Sequence, residues 1–367
     1  MYMSTLECKI QDEWAYVVNE LPDNLNDLAF KTGALKRKKG VKCAADLLRI
    51  ILTYGVTDMS LKAVSAWATT AGVGQLSSVA LYYRVKDSRD WLAALISILL
   101  ERDETPIASA DLDITLVDAS VLTGPGAKGT EWRLHTGIDA RTGHISSIKL
   151  TDQSGGESYK NYSVRKQEIM VGDRAYGMAT GIAYVHMRGG YVVARANLHS
   201  IRLCRPDKTL FNALQEEVNV PKVGVAHYDI LIPAPPETRS LSHKTWKLEN
   251  ASAFIPARLL GVRTIKNTII WVITTVPQSM ATDKVIMELY RVRWQIELEF
   301  KRLKSLLGLD ALPSRQGPTA ESWILARVLG AILIEKFLRK SGIFSPWGYR
   351  MRVQSDDRGH NWSRCTA

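Results

Sequence analysis

DITLVDASVL, residues 113–122, opens on Asp113 and continues as a largely apolar run with a second carboxylate, Asp118, near its middle. A short apolar run of this kind reads as a central strand. An ionised carboxylate inside such a strand is costly unless it is hydrogen-bonded, paired or bound to a metal. On its own, Asp118 suits either a hydrogen-bonded strand end or a metal ligand. Downstream, WRLHTGID (132–139) and HISSIKLTD (144–152) flank ARTG and read as a hairpin. QEIMVGDRAYG (167–177) reads as a second apolar strand ending on a carboxylate, Asp173. A helical stretch, MATGIAYVHMR, and a further strand, YVVARAN (191–197), follow. Strand, hairpin, strand, helix, strand predicts an α/β fold, a mixed sheet with flanking helices. Two carboxylates at strand ends can face each other, and hard cations such as Mg²⁺ prefer such oxygen ligands.

Beyond 198 the pattern becomes β-rich. YDILIPA, FIPARLLGVRTI and NTIIWVITTVP are strand-like runs separated by Pro, Ser and Asn. TDKVIMELYRVRWQIELEFKRLKSLLG (282–308) then predicts a long helix, with Thr282 at its start and Gly308 at its stop. Tyr290, Arg293, Glu297 and Lys304 fall within about 60° of one another at roughly 100° per residue. Leu289, Ile296, Phe300, Leu303 and Leu307 form an adjacent apolar stripe. Arg and Lys can hold phosphates, Tyr can hydrogen-bond or stack, and Glu can close a metal site. The same spacing also suits a surface ion-pair stripe joining Arg293 and Glu297.

Residues 1–108 read as helical. AADLLRIILTYG (44–55), a helix capped by Ser60 and one opened by Ser77 outline a helix-turn-helix, which fits either a DNA-reading module or a plain bundle. LKRKKGVK (35–42) is basic, suited to a solvated loop or a phosphate clamp. Over the 367 residues, 48 Lys and Arg face 37 Asp and Glu, a formal charge of +11 that favours a polyanionic partner. The four cysteines are scattered without a CxxC pair, which argues against a zinc site or disulfide framework and fits a reducing cytosol. GPGAKGT (124–130) has the wrong order for a phosphate-binding loop. The apolar stretches are too short to span a bilayer, so no membrane is expected.

The stripe Tyr290, Arg293, Glu297, Lys304 is Y-x₂-R-x₃-E-x₆-K, and here the chain resembles the DDE transposases of insertion sequence family four. Asp173-Arg174-Ala175-Tyr176-Gly177 is similar to that family's Asp-Arg-Gly-Tyr block, with Ala175 in place of the usual Gly. YVVARAN, with Arg195, resembles the strand that follows it. Asp118 resembles the first acidic residue in context, and the resemblance covers roughly 109–342.

It implies a ribonuclease-H-like mixed sheet with flanking helices, interrupted by a β-rich insertion and preceded by a helical N-terminal domain. Together with the residue pattern, it divides the chain into 1–108, helical and expected to bind DNA, 109–198, the first part of the core, 199–283, the insertion, 284–342, the site helix and rest of the core, and 343–367, an irregular tail. It implies Asp118, Asp173 and Glu297 as ligands of two divalent ions, Mg²⁺ with Mn²⁺ able to substitute. DNA contacts are implied for Tyr290, Arg293, Lys304, Arg174, Arg195 and Trp271. Trp271 resembles the family's base-stacking tryptophan, though its apolar neighbours equally suit a core residue. The implied partners are double-stranded DNA, both terminal inverted repeats and target, and a second copy of the chain when assembled on DNA. The implied location is the bacterial cytoplasm, at the nucleoid. A ribonuclease-H-fold nuclease would share the triad, and the aperiodic tail would suit an inactive DNA-binding remnant.

Overall fold

The computed structural model describes residues 14–100, 112–126, 129, 131–235, 248–291, 293, 305, 308–309, 312–313, 317–340, 353–356 and 359–362. They divide into two compact units, one drawn from 1–103, 121–133 and 302–346 and the other from 104–120, 134–301 and 347–367.

The first unit is built on helices α1 (Leu25–Lys31), α2 (Ala44–Val56), α3 (Leu61–Thr70), α4 (Ser78–Asp87) and α5 (Arg89–Leu99). Two starts are set by serines: the Ser60 hydroxyl accepts from Ala63 N and the Ser77 hydroxyl from Ala80 N, both at 3.2 Å. A later helix, α8 (Gly317–Lys340), belongs to this unit and packs on α2, α4 and α5. Its apolar residues run round the helix, and Ile324, Val328, Leu329 and Ile332 are all buried. Such a helix must be enclosed by others, each buried side chain contributing about 1.5–3 kcal/mol. Gly55 permits the close approach: a Cβ there would stand 2.6 Å from Ala326 Cβ. Packing therefore groups 317–340 with the N-terminal helices, whereas the linear reading placed it with the core.

The second unit holds a sheet of order β3-β2-β1-β4-β5-β10-β9-β8-β6-β7. Its strands are β1 (Ile114–Leu122), β2 (Trp132–Asp139), β3 (Ile145–Asp152), β4 (Ile169–Gly172), β5 (Tyr191–Arg195), β6 (Leu203–Cys204), β7 (Leu210–Phe211), β8 (Ala226–Ala234), β9 (Ala253–Arg263) and β10 (Ile269–Thr274). β1, β4 and β5 are parallel neighbours, with helix α6 (Ala179–Met187) crossing between β4 and β5. A hairpin, β2–β3, continues the sheet beyond β1. This is the ribonuclease-H-like arrangement. The insertion does not form a sheet of its own: β10 pairs antiparallel with β5, and β9 and β8 follow in antiparallel order.

Both faces of the central strands are covered, which is why they read as unbroken apolar runs. Met170, Val192 and Ala194 pack with Ile182 and Val185 of α6. Ile114, Leu116, Ile169, Val171 and Val193 pack on the opposite face with Ile286 and Leu289 of α7 (residues 283–291). In the tail, expected to be irregular, β11 (Val353–Asp356) and β12 (Gly359–Trp362) pair antiparallel.

Candidate active site

The three parallel strands deliver their polar residues to one place. Ile114↔Ile169, Thr115↔Met170 and Leu116↔Val171 are paired, and the same offset carried two residues on sets Asp118 beside Asp173. The β4–β5 register, Gly172↔Ala194, likewise sets Asp173 beside Arg195. Side chains alternate along a strand, so Asp118 shares a face with Leu116, Asp173 with Val171 and Arg195 with Val193. That is the face on which α7 lies. Carboxyl ends of neighbouring parallel strands are where ligands bind in open α/β sheets.

Asp118 is half-buried, and its carboxyl is pushed up to about 6. Burial is the main cause. The Ala119 N–H pulls the other way, Asp173 and Glu157 raise it further, and Arg293 offsets part of the effect. Asp173 follows β4 directly and accepts from Ala175 N at 2.8 Å, which fixes the turn. Gly177 completes that turn, since a Cβ there would meet Arg195 O at 2.4 Å. Glu157, between β3 and β4, was not singled out in the sequence. Only the fold brings it into the field of Asp118, because it lies in a polar stretch with no periodicity.

Behind the carboxylates stand three buried phenols. Tyr162 donates to Asp118 O at 2.8 Å and pairs with the Tyr176 hydroxyl at 3.0 Å, and Tyr159 packs against Tyr176 with ring centroids 5.1 Å apart. Burial drives the Tyr162 and Tyr176 phenols far above their ordinary range, so both stay neutral donors. They pin the backbone at Asp118. Tyr159 and Tyr162 were not identified from sequence.

From α7, Tyr290 and Arg293 reach the same region. The Arg293 guanidinium lies 5.5 Å from the Tyr290 ring centroid. Burial raises the Tyr290 phenol, Arg293 and Arg195 lower it, and Asp173 raises it, which places these groups within one electrostatic neighbourhood. Arg174 and Arg195 are exposed, and Arg174 donates to Asn197 Oδ1 at 3.1 Å. Glu297 and Lys304 lie outside the described residues. Among the described residues, no group of three or more metal-ligating side chains converges. Asp118 and Asp173 nevertheless fit a divalent cation: two adjoining carboxylates, one of them desolvated, carry negative charge that a hard cation would offset.

The start of α7 is held by a second network, also missed in the sequence. Buried Arg258 of β9 donates to Asp283 Oδ1 at 2.5 Å, to Val276 O at 2.8 Å and to Ala281 O at 2.9 Å, and also to Gln278. His227 of β8 bonds Asp283 Oδ2 at 2.7 Å and Asp229 at 3.2 Å. Burial works to lower the His227 imidazole, but its two carboxylate partners raise it on balance. The insertion strands thus hold the first turn of the helix that presents Tyr290 and Arg293.

The base-stacking role expected for Trp271 is corrected to a core role. Its indole is 4% exposed, packs with Tyr228 at 6.0 Å between ring centroids, and covers Gly261, where a Cβ would fall 2.6 Å from the ring. An enclosed ring offers no free face to a base. Trp271→Ala is expected to cost about 3–5 kcal/mol, as other large-to-small core changes do. Urea unfolding monitored by circular dichroism measures it, and an unchanged midpoint would return the residue to the DNA-contacting set. His135, 0% exposed and bonded to Thr151 Oγ1 at 3.0 Å, likewise serves the fold.

No helix among the described residues is long and apolar enough to cross a membrane. Residues 109–334 match the family described as Transposase DDE domain. The chain is 31% identical over 362 residues to the putative transposase InsL for insertion sequence element IS186A of Escherichia coli (strain K12), covering 91% of this chain and 96% of that protein. It is 31% identical over 363 residues to the transposase for insertion sequence element IS421 of Escherichia coli, with the same coverage. Among solved structures, the piggyBac transposase synaptic complex with hairpin DNA aligns at a TM-score of 0.48 and 8% identity, over 90% of this chain and 74% of that one. With the family match spanning the paired aspartates and the start of the helix facing them, and the relatives matched nearly end to end, the chain belongs to the DDE-domain transposases.

Proposed function

We infer that this transposase cuts DNA at the terminal inverted repeats of its element and joins the ends to target DNA, with Asp118, Asp173 and Glu297 as its carboxylate set. The observation that carries the reading is the registered pair Asp118 and Asp173, facing the helix of Tyr290 and Arg293. Two Mg²⁺ ions held there, with Mn²⁺ able to substitute, would supply charge neutralisation at the phosphate and a more acidic attacking water or 3′-hydroxyl. The chain's own residues do the rest. Tyr162 and Tyr176 fix the Asp118 backbone, and Arg293 and Lys304 grip phosphates beside the scissile bond. Arg174 and Arg195 contact the neighbouring backbone. Tyr290 packs under the Arg293 cation and keeps it directed at the site. Residues 1–108 bind the element's ends, and a second copy of the chain joins when both ends are brought together. Acting on chromosomal DNA places the protein in the cytoplasm at the nucleoid.

The test is incubation of the purified chain with Mg²⁺ and duplexes carrying the inverted repeats that flank its gene. Cleavage at the repeat boundary and joining to a second duplex support the reading. Cleavage without joining would make the protein a ribonuclease-H-fold nuclease, and binding without cleavage would make it a DNA-binding remnant. Arg293→Ala with Lys304→Ala is expected to weaken binding to these duplexes. The slope of log affinity against log salt should fall by about 0.9 for each phosphate released. An unchanged slope would assign both residues to surface ion pairs.

A further inference from the structure

Helix α4 has two faces of opposite character. Leu81 and Val85 are fully buried, whereas Val79, Tyr83 and Lys86 are exposed. At about 100° per residue the exposed three lie within roughly 60° of one another and opposite the buried pair. Val79 is 64% and Tyr83 56% exposed, apolar surface for which the helical unit itself has no use. Tyr83 stands edge-on to Tyr82 at 5.4 Å.

The basic stretch beside α4 is not a loose loop. Arg84 of α4 donates to Ala34 O at 3.2 Å and to Arg37 O at 2.6 Å, and Lys36 bonds Asp87 at 2.9 Å. Gln75 N donates to Gly40 O at 2.7 Å, and Gly40 takes φ +83° against that backbone, where a Cβ would stand 2.5 Å from Gln75 O. Lys36, Arg37, Lys38, Lys39 and Lys42 all remain exposed. The stretch carrying five exposed cations is thus tied by its backbone and Lys36 to the flank of α4 and the turn before it. α3 precedes it, tied on by the Ser65 hydroxyl bonded to Leu76 O.

We infer that α4 is a major-groove reading helix whose Val79 and Tyr83 take up thymine 5-methyl groups, while the strap of residues 36–42 sits on the adjoining phosphates. The inference rests on residues 1–108 being the end-binding region. A helix fits the major groove, where each thymine presents its methyl to apolar side chains, and phosphate contacts fix the register. Beside Lys86, which can reach a guanine edge or a phosphate, the exposed face offers Val79 and Tyr83, whose apolar surface suits thymine methyl contact.

The experiment uses the full chain and three duplexes of equal length: the inverted repeat flanking its gene, the same duplex with uracil for every thymine, and a random sequence. Uracil keeps the hydrogen-bonding groups and removes only the methyl. The wild type is expected to bind the thymine duplex about tenfold more tightly than the uracil one. Val79→Ala with Tyr83→Ala should erase that ratio and leave the salt slope intact. Lys38→Ala with Lys39→Ala should weaken all three duplexes alike and lower the slope by about 2, leaving Lys36 to its bond with Asp87. Equal binding of thymine and uracil duplexes by the wild type, or an unchanged ratio in the Val79/Tyr83 variant, overturns the inference. If the lysine variant still flattens the slope in that case, the end-binding role of 1–108 survives and only the reading helix is refuted. If neither variant alters binding, both readings fall.

Discussion

Asp118→Asn is expected to abolish DNA cleavage while making the metal-free protein more stable at neutral pH. Both effects come from one carboxylate. Losing it removes several kcal/mol of charge stabilisation at the reacting phosphate, about a thousandfold or more in rate. The stability effect follows from the raised carboxyl, about 6 in the folded chain against 3.8 ordinarily. The folded state therefore holds this proton more tightly than the unfolded state. Its stabilising contribution is complete below pH about 4 and is lost as pH rises to about 6. Above that the ionised group costs the fold up to about 3 kcal/mol, an upper bound because water reaches part of it. Asn carries no such cost. In chelator, the variant's melting temperature should exceed that of the wild type at pH 7, and the gap should close toward pH 4. Added Mg²⁺ should raise the wild type far more than the variant. Normal cleavage by Asp118→Asn, or a lower melting temperature at pH 7 in chelator, would show that Asp118 serves the strand and not the reaction.

Arg258→Met is expected to destabilise the sheet unit by about 3–5 kcal/mol, the usual cost of breaking a buried ion pair from one side. Arg258 is 5% exposed, and its removal leaves Asp283 with His227 as its remaining charge partner and two backbone carbonyls without their donor. Cleavage by the folded fraction should fall as well, because Asp283 begins the helix that carries Tyr290 and Arg293. Urea denaturation measures the first effect and single-turnover cleavage the second. Arg258→Met with Asp283→Asn should recover part of the stability, since no charge is then stranded. A single variant with the wild-type urea midpoint would show that the clamp contributes nothing.

Much of the site was legible in the chain itself because its chemistry is local. Asp118 announces itself as a carboxylate within an apolar strand and Asp173 as one at the end of another, and Tyr290 and Arg293 share a helix face through the 3.6-residue period. Ser60 and Ser77 cap their helices through bonds that span three residues. What the linear order withheld depends on long-range packing. Trp271 sits in a strand that reads the same whether its indole faces a base or a core, and only the approach of β9 at Gly261 decides for the core. Arg258 looks like any strand residue until β9 passes the start of α7. Glu157 and Tyr162 lie in polar loop sequence whose partners are dozens of residues away. The helix Gly317–Lys340 follows the segment of Tyr290 and Arg293 in sequence yet packs with the N-terminal helices, because an apolar surface on all sides is buried wherever partners surround it. The amino-acid sequence by itself pointed to Asp118 and Asp173 at strand ends and to Tyr290 and Arg293 on one helix face. The tertiary structure alone decided that the two aspartates stand in register, that phenols and an arginine clamp hold them and their helix in place, and that Trp271 is enclosed, since register and enclosure arise only when strands distant in sequence pair.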